Sequence, residues 1–198
     1  MVRRTKAEAE ATRTAILDAA ERLFEARGVS RVSLQQIADD AGVTRGAVYH
    51  HFSDKAELFD AMMKRVKLPI EQARAALDAC PGHEPLARLR TLLCNTLQRV
   101  ADDAQTQRVF EIAIHKTETV DELSAVRTRH REAVAEHIAT IARCLEHAGL
   151  PPRDAVAVHA MVAGLLQTWL LDRDGFDLVA VGGAAVDALL RGLSVRAG

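Results

Sequence analysis

Apolar positions near the start of the chain recur at helical spacing. Ile16, Leu17, Ala20, Leu23 and Phe24 fall at i, i+1, i+4, i+7 and i+8, one face of a 3.6-residue period. The pattern predicts a helix over residues 6–27, closed by Gly28 at a position where helices commonly end in a left-handed residue. Ser33 with Gln36 three residues on has capping-box spacing, and Leu34, Ile37, Ala38 and Ala41 make the inner face of the short helix that follows. Gly42 breaks that helix. Thr44 caps another, which ends near His51. Asp54, with Glu57 at the reciprocal position, caps a fourth helix whose apolar stripe is Leu58, Phe59, Met62, Met63 and Val66. This helix is expected to reach about Ala79, with a kink at Pro69.

Residues 80–85, CPGHEP, read as a loop. Helical segments are expected at 85–101, 103–116, 121–148, 153–172 and 177–193. No run of Val, Ile, Thr and Tyr reads as a strand. The expected fold is all-α, with about nine helices. Residues 1–55 would form a three-helix domain, and residues 56–198 a larger helical domain. The boundary then lies in a rigid helix, which can carry motion from one domain to the other.

The residues from 33 to 52, SLQQIADDAGVTRGAVYHHF, have the pattern of a helix-turn-helix, whose second helix enters the major groove of DNA. Ala38 is small where two helices cross, and Val43 and Val48 can pack back onto Leu34 and Ile37. The outer face of the second helix offers Thr44, Arg45, Tyr49 and His50, while Gly46 and Ala47 leave its backbone open to close approach. A plain helical hairpin with a polar surface has the same spacing, so the pattern alone does not decide.

Charge adds little. The chain of 198 residues has a net charge of −1, and residues 1–55 hold nine Lys and Arg against eight Asp and Glu. Arg3, Arg4 and Lys6 precede any acidic residue and read either as a basic arm or as a solvated terminus. Hydrophobic residues make up 48% of the chain, which excludes a disordered protein. Cys80, Cys94 and Cys144 form no CxxC, so a reducing, cytoplasmic compartment is expected. No signal peptide is expected, and the apolar stretch 155–171 reads as short of a membrane span.

The N-terminal 65 or so residues, with AGVTRGAVYHHF and the KAEL that opens the fourth helix, closely resemble the TetR family of repressors. Within that family they are most similar to the multidrug-efflux repressors of the AcrR and TtgR type. FEIAIHKTE and GLLQTWLLDRDGFDL resemble the same subgroup, more thinly. The resemblance implies a dimer on double-stranded operator DNA and a hydrophobic small-molecule inducer. It gives Arg45 the reading of a base edge, where a guanidinium can bond guanine bidentately. It has Thr44, Tyr49 and His50 holding phosphate or flanking bases, and Lys55 holding a phosphate. Ser33, Gly46 and His51 complete the DNA-facing set, His51 reading equally as a packing residue. His50 stands where members of the subgroup commonly carry Trp, which bears on the fine base preference.

The segment 155–171 is apolar nearly all round, which predicts burial on several sides, and the last helix is rich in Gly, Ala, Val and Leu. Two such helices from each of two chains could form a four-helix dimer interface; a core within one chain is the competing reading. The family places a ligand pocket in the helical domain. Its candidate liners are Met62, Met63, Val66, Leu92, Phe110, Ile114, Val134, His137, Ile141, Met161 and Trp169, each of which also suits ordinary core.

No nucleophile elbow, phosphate-binding loop or dinucleotide fingerprint is present, so no enzyme activity and no cofactor is expected. His130, His137 and Cys144 recur every seven residues, but neighbours two turns apart stand about 10 Å from each other, too far for one metal. Glu111 and His115 read as a surface pair and not as metal ligands. Three functions therefore compete: a ligand-responsive repressor, a DNA-binding regulator without a small-molecule ligand, and a helical enzyme or scaffold that contains a helix-turn-helix.

Overall fold

The computed structural model describes residues 5–78, 84–116 and 124–197. Among these residues the chain is all helical: α1 (Lys6–Arg27), α2 (Leu34–Asp40), α3 (Arg45–His51), α4 (Lys55–Asp78), α5 (Pro85–Asp102), α6 (Ala104–His115), α7 (Ser124–His147), α8 (Ala155–Leu171) and α9 (Leu178–Ala197). Helix α4 stays helical through Pro69. The segment expected from residue 153 opens instead as a 3-10 turn, Pro152–Asp154, with proline at its first position, where the missing N–H would have no intrahelical acceptor. Arg3, Arg4, Cys80 and most of the CPGHEP loop lie outside the described residues.

Local sequence sets the helix ends. Thr5 and Glu8 form a reciprocal capping box at the start of α1. Ser33 and Gln36 do the same for α2. Thr44 Oγ1 accepts the Ala47 amide at the start of α3. Asp54 accepts the Glu57 amide at 2.7 Å, but the Glu57 carboxylate takes the amide and hydroxyl of Ser53 and not the Asp54 amide. The reciprocal half of that cap is displaced by one residue. Gly28 closes α1 with φ 83° and ψ 154°, a combination that only glycine adopts without strain.

The chain divides into two compact units: Met1–Lys67 with Arg108–Arg129, and Leu68–Gln107 with His130–Gly198. In the first, Ile16, Leu17, Ala20 and Phe24 of α1 pack with Ile37, Ala38, Val48 and Phe52 of the helix-turn-helix. Leu58, Met62 and Val66 of α4 and Val109 and Ile112 of α6 belong to the same core. A cluster of charges lies beside it. Arg65 of α4 donates to Asp18 at 2.6 Å and to Glu21 at 2.7 Å, and Arg108 of α6 donates to Glu25 at 3.0 Å. Asp18, Glu21 and Glu25 occupy one face of α1, so that face fastens both α4 and α6.

In the second unit, α9 packs against α5 and α8. Leu89, Leu93, Leu97 and Val100 of α5 face Val186, Leu190 and Leu193 of α9 in a buried layer. A Cβ on Gly182 would stand 2.5 Å from Leu97 Cδ1, so the two helices cross closely there and a larger residue would have to displace the end of the Leu97 side chain. Arg90 and Asp187 pair across the same two helices.

Helix α8 is less buried than its composition predicts. Val158, Val162, Leu166 and Leu170 turn inward, while Val156, Ala157, Ala160, Gly164 and Leu171 are exposed. In α9 the exposed residues are Ala180, Val181, Ala184, Ala188, Gly192 and Val195, joined near its end by Arg191, Ser194 and Arg196. With its 3-10 turn, α8 forms a run of 20 residues, and α9 gives one of 19; both are long and apolar enough to cross a membrane by length and composition. That corrects the reading of 155–171 as too short, a reading that omitted the turn. A third or less of each run is buried, so each keeps an apolar face that the described residues do not cover.

Candidate nucleic-acid interface

Helix α3 is held from below by Val48, which is fully buried, and by Phe52 just beyond its end. Its remaining surface is open. Thr44, Arg45, Gly46, Tyr49 and His50 are all exposed, and His51 is half-buried. Ser33 is exposed at the start of α2. The structure thus brings five of the eight expected DNA-facing residues onto one short helix. Tyr49 is 46% exposed, unusual for a large ring with a core available beside it.

Two of these residues engage each other. Arg45 Nη2 donates to Tyr49 Oη at 3.2 Å, and Arg45 Cζ stands 5.4 Å from the Tyr49 ring centroid. The hydroxyl's bond pushes the Arg45 guanidinium above its ordinary, already basic, range. His50 and His51 meet edge to face, with centroids 5.3 Å apart. Arg13 of α1 lies over the Phe52 ring at 5.2 Å, which braces the end of α3.

Gly46 carries information by what surrounds it. A Cβ built there would meet only Thr44 Oγ1, at 3.9 Å, so no packing within the chain requires glycine. Glycine in a helix costs about 0.5–1 kcal/mol relative to alanine. The glycine leaves the backbone bare on the exposed side of α3.

Lys55 has a role that sequence reasoning did not supply. Its ammonium donates to the carbonyls of Val29 at 3.0 Å and Ser30 at 3.2 Å, in the turn between α1 and α2. The Val29 amide in turn donates to the Lys116 carbonyl at 3.1 Å, just past the end of α6. The turn that leads into the helix-turn-helix is thus bonded to the first residue of α4 and to the end of α6. These bonds join residues 26 and 25 positions apart for Lys55, and no local pattern announces them.

The expected ligand liners fall in both units. Met62, Met63, Val66 and Phe110 pack in or against the core of the first, where Ile114 is half-buried. In the second, Leu92, Ile141 and Trp169 are buried and Val134 and Met161 half-buried. His137 of α7 meets His159 of α8 edge to face, with centroids 5.3 Å apart. The His130 side chain lies outside the described residues, and Cys144 is half-buried. Glu111 and His115 are not a surface pair: both are half-buried, and His115 Nε2 is enclosed with no hydrogen-bond partner among the described residues. Among those residues, no group of three or more His, Cys, Asp or Glu is placed to hold a metal.

Comparison with known proteins agrees at both ends of the chain. Residues 16–62 match the model for bacterial regulatory proteins of the tetR family, and residues 84–195 match that for the C-terminal region of MAATS-type transcriptional repressors. The HTH-type transcriptional regulator TtgR of Pseudomonas putida is 40% identical over 188 residues, 90% of each chain. The crystal structure of NalD, the secondary repressor of the MexAB-OprM multidrug efflux pump in Pseudomonas aeruginosa, superposes with a TM-score of 0.85. It is 36% identical and covers 95% of this chain and 98% of that one. The SmeT–triclosan complex superposes with a TM-score of 0.83 at 29% identity, covering 92% and 91%. The exposed recognition helix, the buried frame beneath it and these two matches agree: the chain belongs to the TetR family of transcriptional regulators, with a MAATS-type C-terminal region, and is a DNA-binding repressor related to those of multidrug efflux pumps.

Proposed function

We propose that this repressor controls a multidrug-efflux operon in the cytoplasm. As a homodimer it holds a palindromic operator, and it lets go when a hydrophobic small molecule binds. The observation that carries this reading is similarity across both halves of the chain, since NalD and SmeT, which match 95% and 93% of it, are repressors of multidrug efflux pumps by name. The SmeT complex with triclosan supports an apolar aromatic inducer. Arg45 reads a base edge, while Thr44 and His50 meet phosphate or flanking bases, and the bare backbone at Gly46 lets α3 seat deeply.

Dimerisation through α8 and α9 follows from their exposed stripes. The exposed Val156, Ala157, Ala160 and Gly164 on α8 repeat at the same intervals as the exposed Ala180, Val181, Ala184 and Ala188 on α9. Small residues allow close helix approach, and four such helices bury one another's apolar faces without any lipid. Two heads joined this way must present their recognition helices about 34–36 Å apart, or at a multiple, to reach successive major grooves. A ligand that favours another spacing weakens operator binding.

Two measurements test the reading. Footprinting on the genomic neighbourhood of the gene should protect a palindrome beside a transporter operon, and triclosan should release that duplex in a fluorescence titration. Protection of unrelated sites, or no release by triclosan or by other apolar aromatic compounds, counts against efflux control. Gly164→Glu and Ala184→Glu should give monomers in analytical ultracentrifugation. Dimers that survive both changes place the interface elsewhere.

A further inference from the structure

We propose that Tyr49 is a positioning residue for Arg45: its hydroxyl and ring hold the guanidinium fork in the orientation that meets a base edge. The proposal rests on the reading of Arg45 as the base-reading side chain. Among the described residues, the contacts of Arg45 are the hydrogen bond to Tyr49 Oη at 3.2 Å and the ring face 5.4 Å from Cζ. The rest of this long side chain is exposed.

The two contacts do different things. The bond to Oη fixes one nitrogen of the guanidinium, and the ring restricts the tilt of its plane. One N–H of five is used, and two of the four that remain can bond O6 and N7 of a guanine side by side. That pairing needs the guanidinium nearly coplanar with the base, and a free arginine must lose several rotamers to reach it. Tyr49 has only two side-chain torsions, and its backbone is fixed by a helix whose next inward residue, Val48, is fully buried. The i, i+4 spacing places both side chains on one face of α3. The exposure of Tyr49 excludes a packing role as the reason for its size.

The competing role for Tyr49 is a hydroxyl bonded directly to phosphate. The two roles separate by coupling. Four proteins are compared: wild type, Arg45→Ala, Tyr49→Phe and the double variant. The probe is a duplex selected from a random-sequence pool by the wild-type protein, and dissociation constants are read by fluorescence anisotropy. Both side chains are exposed, and thermal melts confirm that each variant is folded. Tyr49→Phe keeps the ring and removes the acceptor, so it should weaken binding by about two- to tenfold in the wild-type background. It should change nothing in the Arg45→Ala background, and the base pair at which preference relaxes should be the same for both single variants. An equal loss in both backgrounds, or none in either, overturns the proposal. If Arg45→Ala leaves the affinity for the selected duplex unchanged, the base-reader assignment fails and the proposal falls with it, a result distinct from an uncoupled pair.

Discussion

Glu21 on α1 is 1% exposed, and its carboxylate accepts a hydrogen bond from Arg65 of α4 at 2.7 Å. Burial pulls the Arg65 guanidinium down, and its bonds to Asp18 and Glu21 more than reverse this, so it stays charged. Arg65 also donates to the Thr14 carbonyl at 3.1 Å. The next basic group to Glu21 is Arg108, at 3.9 Å. Arg65→Ala leaves a buried carboxylate without its main partner and should destabilise the protein by about 3–5 kcal/mol. Urea denaturation of wild type and variant measures this; a loss under 1 kcal/mol would show that Arg108 moves in to replace Arg65.

Gly46 offers a trade between stability and binding. Gly46→Ala meets no obstacle within the chain and should raise stability by about 0.4–1 kcal/mol. The added methyl stands on the face that we assign to DNA, so affinity for the selected duplex should fall. A variant that is stabilised and binds DNA as well as the wild type would mean that α3 does not seat closely at that point.

Lys55→Ala removes the donor that joins the carbonyls of Val29 and Ser30. Charge-assisted bonds of this kind are worth about 1.5–3 kcal/mol each, and some of that is recovered by water at a half-buried site. A loss of about 1–3 kcal/mol in unfolding free energy is expected. An unchanged stability, with the salt dependence of DNA binding lowered by about one ion, would return Lys55 to a phosphate-holding role alone.

Asp103 gives α6 its acid sensitivity. Its carboxylate accepts the Thr106 hydroxyl and the amides of Gln105 and Thr106, and the bond from Thr106 above all holds it below the usual carboxylate range. A depressed value means that the stabilisation is present above the ordinary carboxylate range and is lost as pH falls through the lowered value. Asp103→Ala should therefore cost about 0.5–2 kcal/mol near neutral pH, and less as the solution is acidified. A difference between wild type and variant that grows with acid would reverse that assignment.

The parts of this fold that were legible in the sequence are those set by neighbours in the chain. Ser33 with Gln36, and Thr44 with the Ala47 amide, announce their helices over three residues, and both caps are present. The exposed face of α3 follows from the same periodicity. The clasp of Arg65 on Asp18 and Glu21 was not legible, because its partners are 47 and 44 residues away, and charged residues on a helix read by default as a solvated face. Nor was the Arg45–Tyr49 contact, although the spacing permitted it, since spacing gives no side-chain rotamer. The burial of α8 was overestimated for another reason. Composition measures how much apolar surface a helix has, and not whether its own chain covers it.

The hydrogen bond from the Val29 amide to the Lys116 carbonyl joins main chain to main chain. Apart from proline at position 29, no substitution at either residue deletes its donor or acceptor. Only a shift of one backbone against the other breaks it. Its amide proton is thus a built-in gauge: the exchange rate with deuterated solvent at Val29 reports, in the unaltered protein, how often the end of α6 parts from the turn ahead of the reading head.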